Sequence, residues 1–134
     1  MKVDGSCHCG AITYTAEIDP AKVSICHCND CQITAGSAFS FSAPTIDAMV
    51  TFLKAQPSIY MKKTAASGRA RAHAFCPVCA TRIYSASVEP APPQITLRAG
   101  PLKQRRELTP KRQVWCSAAL DWSKIDAGEC IAEQ

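Results

Sequence analysis

The chain has 134 residues, one domain's worth, with 15 Lys and Arg against 11 Asp and Glu for a formal charge of +4. Hydrophobic residues make up 47%, which argues against intrinsic disorder. No run of 18 or more apolar residues exists, which excludes a membrane-spanning helix.

The opening segment, Met1 to Cys7, lacks the apolar stretch of a secretory signal, and a cytoplasmic protein is expected. Ala11–Ile18 alternates, with Ile12, Tyr14, Ala16 and Ile18 on one side and Thr13, Thr15 and Glu17 on the other. That is the pattern of a half-buried strand. Lys22–Ile25 reads as extended and leads into a cysteine cluster. Ser37–Ala43 alternates again, with Phe39, Phe41 and Ala43 facing together. Thr45–Val50 reads as one helical turn, with Thr45 as N-cap and Asp47 near its positive end. Ile59–Lys63 and Arg69–Phe75 read as a hairpin around the loop Ala65–Gly68. Arg69, Arg71 and His73 share one face of its second strand, and a solvated face is expected there rather than a carboxylate-binding one. Arg82–Val88 and Gln94–Ala99 flank the Pro-rich loop Pro90–Pro93. The basic stretch Lys103–Arg112 reads as a solvated loop. A short strand is expected around Gln113–Cys116, and Asp126–Gln134 reads as a loose tail. Many short strands with Gly and Pro punctuation predict a mainly β single domain of short antiparallel strands.

Nine cysteines in so short a chain decide the chemistry. Disulfides would leave an odd thiol over. The spacings C-x-C (Cys7, Cys9), C-x-C-x-x-C (Cys26, Cys28, Cys31) and C-x-x-C (Cys76, Cys79) favour a metal. Cys116 and Cys130 stand alone and are read as small buried hydrophobes. In an extended C-x-C the two sulfurs lie on one side and the intervening residue on the other, so His8 and His27 are not counted as ligands.

Cluster sizes of two, three and two allow one closed tetrahedron if each cluster is kept whole. That is Cys7, Cys9, Cys76 and Cys79, stapling the first strand to a distant hairpin. Cys26, Cys28 and Cys31 then form a site of three thiolates and an open position, the pattern of a reactive zinc. The competing reading fills that position with Cys116 or a histidine and makes the site purely structural. Seven thiolates around two zinc ions would bring the formal charge from +4 to about +1. A three-thiolate zinc is a weak Lewis acid toward water. It is better suited to bind a substrate thiol, lower its pKa from about 8.5 and keep it nucleophilic toward a small aldehyde. Asp30, inside this cluster, is read as shaping the turn rather than accepting a proton.

The blocks Gly5-Ser-Cys-His-Cys-Gly10, Cys26-His-Cys-Asn-Asp-Cys31, Gly36-Ser-Ala-Phe39 and Phe75-Cys-Pro-Val-Cys79 resemble the glutathione-dependent formaldehyde-activating enzyme family, which includes the centromere protein V domain. Ala99-Gly-Pro-Leu102, Pro110 to Trp115 and Trp122 extend the resemblance over about residues 3–123, leaving 124–134 as a tail. The resemblance implies a tent-like, zinc-binding β fold. It implies a structural zinc on Cys7, Cys9, Cys76 and Cys79 and a catalytic zinc on Cys26, Cys28 and Cys31. It implies carbon–sulfur lyase activity joining formaldehyde to glutathione. Two departures stand out. Ala80 replaces the usual glycine, which the turn tolerates if its φ is negative, and Gln113 stands near the place of a histidine.

A zinc-dependent carbon–sulfur lyase acting on a glutathione-like thiol and a small aldehyde adduct is therefore expected. The alternative is a non-catalytic, zinc-stapled thiol carrier or protein-interaction module. The pI of 8.6 and Lys103–Arg112 raise a nucleic-acid partner, but interleaved aromatics are missing and the metal correction removes most of the positive charge.

Overall fold

The computed structural model describes residues 1–65 and 68–133. In chain order, the first strands are β1 (Lys2–Ser6), β2 (Thr13–Glu17) and β3 (Ser24–Cys26), followed by the helix α1 (Asn29–Ala35). Next come β4 (Ser40–Pro44), β5 (Thr51–Phe52), β6 (Ser58–Lys62) and β7 (Arg71–Phe75). The last are β8 (Arg82–Ser87), β9 (Ile95–Arg98), β10 (Arg112–Val114) and β11 (Glu129–Ile131). A small sheet has the order β1-β2-β5 and a large one the order β11-β10-β3-β4-β9-β8-β7-β6. The domain is mainly β, as expected. Two pairings, β10 with β3 and β10 with β11, are parallel rather than antiparallel.

Period-two alternation builds the core. Ile12, Tyr14 and Ile18 from the first alternating segment are buried with Val3, Ala43, Ala74, Ile83, Leu97 and Leu102 in one cluster drawn from both sheets. The small sheet thus covers the apolar face of the large one. Gly5 pairs with Tyr14, and a Cβ at position 5 would lie 2.0 Å from the Tyr14 ring. Overpacking a buried aromatic against backbone has no cheap escape. Gly5→Ala is expected to destabilise the domain by roughly 3 kcal/mol in urea unfolding; a loss under about 0.5 kcal/mol would contradict this packing.

Several expectations need correction. Thr45–Val50 forms no helical turn. Thr45 spends both its N–H and its hydroxyl on the Ile95 carbonyl, Ile46 N–H donates to Glu17, and Ala48 has φ 54°. Sheet-edge pairing has outcompeted the local cap. Ala66 and Ser67 of the expected hairpin loop lie outside the described residues, but β6 and β7 do pair antiparallel. Cys116 and Cys130 are not bystanders. They form a disulfide with Cα atoms 6.1 Å apart. Accordingly 129–131 is not loose, for β11 pairs in register with β10. Trp122, which closes the C-terminal part of the resemblance, is 79% exposed.

Candidate metal centres and the adjoining cavity

The first C-x-C was expected to be extended and is not. It lies in a turn after β1, closed by Gly10 N–H donating to the Cys7 carbonyl. The turn still brings the Cys7 and Cys9 sulfurs to 3.6 Å, and Cys9 lies 3.8 Å from Cys76. The four sulfurs of Cys7, Cys9, Cys76 and Cys79 all lie within 4.8 Å of one another. A tetrahedron with Zn–S bonds of about 2.3 Å has edges of about 3.8 Å, so the quartet fits a zinc-sized ion. Backbone N–H groups point at the cluster: Ile12 N–H donates to Cys7 Sγ at 3.2 Å. Hydrogen bonds from the Thr81 hydroxyl and N–H draw the Cys79 thiol down to about 5, so it favours the thiolate a metal requires. The condition for an unstrained Ala80, a negative φ, is not met: Ala80 sits at 59°, a left-handed position that glycine would hold without strain. Its N–H donates to the Cys76 carbonyl and closes the C-x-x-C turn.

The sulfurs of Cys26, Cys28 and Cys31 form the second group, also within 4.8 Å of one another. No further His, Cys, Asp or Glu joins them among the described residues. Cys116, one candidate for the fourth position, is committed to Cys130. His27 is turned away and buried. Gln113 Nε2 donates to the Ile125 carbonyl, so Gln113 Oε1 must accept from His27 Nε2 at 2.9 Å. His8 is exposed.

Local structure explains how the trio is held. Cys26 ends β3, and Cys28 is the N-cap of α1, its sulfur accepting from Cys31 N–H at 3.4 Å. Gly36, with φ 61°, ends the helix in the left-handed conformation that suits glycine. Gln32 Nε2 ties the helix to the carbonyls of His27 and Ala118, and Arg82 donates to the Thr34 carbonyl. Three thiols this close cannot all ionise unaided. Hydrogen bonds from Cys26 and Cys28, the Ser40 hydroxyl and the Arg98 charge pull Cys31 far below the usual thiol range. The same contacts, with Cys28 and Cys31 as acceptors, push Cys26 far above it. Such a set fits a cation that would stabilise all three thiolates together.

The trio opens into a cavity of about 990 Å³ that none of the quartet lines. Its floor is the polar face of the large sheet. Register puts Cys26 opposite Ser40, and the next row across four strands reads Arg112, Ser24, Ser42, Arg98. A register shift after Ala74 leaves Ile83 in the core and puts Arg82 and Ser85 on the same face as His73. Arg71 and His73 therefore face this cavity and not open solvent, contrary to expectation; Arg69 lines it as well. Arg82 donates to His73 Nδ1. Burial, then the charges of Arg82, Arg98 and Lys62, lower the His73 pKa to about 4, so its ring is neutral at pH 7. Asp30 shapes the first turn of α1 and also accepts from the buried Lys62 Nζ at 2.5 Å, which joins α1 to β6. Phe39, facing His27 edge-on with ring centroids 5.7 Å apart, packs beside the site instead of lining it.

Ser24, Ser40, Ser42, Lys62, Arg98 and Arg112 were not singled out from the sequence. Their signal was the polar half of each alternating strand. It becomes readable only once the strand order is known. Arg112 belonged to a stretch read as solvated, yet it lines the cavity from β10.

Fold and site together define a mainly β domain with two thiolate-rich centres that could hold metal ions, one of them opening into a polar cavity. The profile of the glutathione-dependent formaldehyde-activating enzymes matches residues 2–118, and the chain belongs to that family, a family of carbon–sulfur lyases that use glutathione as thiol. A crystal structure of a Rhodobacter sphaeroides protein, a structural genomics target, shares the fold with a TM-score of 0.57 and 20% identity, over 77% of this chain and 88% of that one. No protein of curated function matches. Among the described residues no helix is long and apolar enough to cross a membrane.

Proposed function

We propose that this protein is a zinc-dependent carbon–sulfur lyase of the formaldehyde-activating type, handling a glutathione-like thiol and a small aldehyde. The observation that carries this reading is the cavity that reaches Cys26, Cys28 and Cys31 and bypasses the sulfur quartet. Cys7, Cys9, Cys76 and Cys79 would hold a structural zinc, and Cys26, Cys28 and Cys31 a catalytic one. Zinc held by three thiolates supplies a fourth position for a substrate sulfur and keeps that sulfur ionised at neutral pH.

The remaining tasks fall to the chain's own groups. Arginines on the cavity floor receive the carboxylates of the thiol. The Asp30–Lys62 pair lines the same cavity. Asp30, read from the sequence only as shaping the turn, is assigned here the further task of taking the proton that the thiol gives up. In the forward direction a bond forms between the substrate sulfur and the carbonyl carbon, and the carbonyl oxygen gains a proton from that pair. Cleavage runs the same steps backward.

The test is proton-exchange spectroscopy of glutathione and formaldehyde with the zinc-loaded protein. Exchange between free thiol and S-hydroxymethyl adduct should accelerate at least about tenfold and saturate with glutathione, which is about 1.4 kcal/mol off the barrier. Saturable glutathione binding without acceleration would end the lyase reading and leave the non-catalytic thiol carrier.

A further inference from the structure

The cavity is charged in one direction. Among the described residues, six Lys and Arg side chains line it against one carboxylate, Asp30. Asp30 is already engaged by Lys62, and Lys22 pairs with Asp19. Arg71, Arg98 and Arg112 have no ion-pair partner among the described residues. Among the described residues Arg98 donates to the Ser42 hydroxyl alone, at 3.0 Å, and its charge also acts on the Cys31 thiol. Arg112 Nε is buried and meets no acceptor. A buried donor without a partner is costly, and a guanidinium prefers a carboxylate or phosphate fork above other acceptors.

The placement of these charges is more informative than their number. Arg112 and Arg98 end one cross-strand row, with Ser24 and Ser42 between them. Three strand spacings separate their backbones by about 14 Å. The row beside it carries Cys26 and Ser40. A ligand whose sulfur sits at the cysteine trio can thus reach one arginine on either side. Each would meet a separate anionic group. Glutathione has a carboxylate at each end, but one of them sits beside an ammonium. Among the described residues the cavity offers that ammonium no unengaged carboxylate, and it places three cations nearby.

We propose that Arg98 and Arg112 form a two-ended anion clamp, and that the preferred ligand is a thiol flanked by two anionic groups and lacking the ammonium of glutathione. This rests on the thiol-handling reading above, and it narrows the class of thiol. Arg71, which lies next to the cationic side chain of Arg98, adds to the positive field on that end.

The experiment is calorimetric titration of the zinc-loaded protein with five peptides. They are glutathione, its desamino form glutaryl-cysteinyl-glycine, the desamino form amidated at glycine, and the serine counterparts of glutathione and of its desamino form. The desamino peptide is expected to bind at least about tenfold tighter than glutathione, and amidation to cost about as much again. Arg98→Gln and Arg112→Gln should each weaken the desamino peptide, and one of them should erase the amidation penalty. Because the ranking is measured on the unaltered protein, it stands even if a variant folds poorly. Glutathione binding as tightly as its desamino form would overturn the proposal, as would an unchanged affinity after amidation. The serine peptide separates the two readings. If it binds as well as its thiol parent, the sulfur site fails, while comparison with seryl glutathione still decides the clamp by the same tenfold criterion.

Discussion

Cys76→Ser is expected to unfold the domain. Cys76 is completely buried, and its sulfur meets that of Cys9 across 67 positions of sequence. Holding β1 and the β7–β8 turn together in this way closes a long loop, and the binding energy of a structural metal offsets that closure entropy. Removing one of four thiolates weakens the staple and leaves a buried hydroxyl in its place. A loss of about 3–5 kcal/mol is expected, comparable to the whole stability of many small domains. Thermal unfolding with parallel zinc analysis checks this. The variant should be unfolded or melt far below the parent and should lack one zinc. A melting temperature within about 3 °C of the parent, with zinc content unchanged, would show that the quartet is not a staple.

Cys28→Ser should have the opposite profile. Cys28 is the N-cap of α1, where its sulfur accepts from Cys31 N–H. Serine is among the best N-cap residues, so the cap survives the change. The thiolate does not, and the trio keeps only Cys26 and Cys31. Turnover of the S-hydroxymethyl adduct is expected to fall at least about a thousandfold, some 4 kcal/mol in barrier, while the melting temperature moves by only a few degrees. Steady-state rates and a thermal melt on one preparation test both halves. If Cys28→Ser and Cys76→Ser behave alike, the division of labour between the two centres is wrong.

Much of this was legible in the residues because metal ligation and strand alternation are local patterns. Ile12, Tyr14 and Ile18 announce a buried strand face by their spacing alone, and all three are buried. Cluster sizes of two, three and two lead to the same two groups of cysteines that the folded chain gathers. What was missed depends on contacts distant in sequence. Thr45 looked like a helix cap because its partner Ile95 is 50 positions away. Cys116 and Cys130 looked isolated because no spacing rule foretells that β11 returns in parallel beside β10. Arg71 and His73 looked solvated because the face of a strand carries no label until its sheet is assembled. The cavity floor is such a case, with Arg112 and Arg98 brought into one row only through β3 and β4.

The most direct test of an open three-thiolate centre is metal analysis before and after a mild chelator. Purified protein should hold two zinc ions per chain. The chelator should take one, together with the activity, and leave the fold and the other zinc in place. A single zinc that only unfolding releases, or Cys26, Cys28 and Cys31 recovered as disulfides, would contradict it.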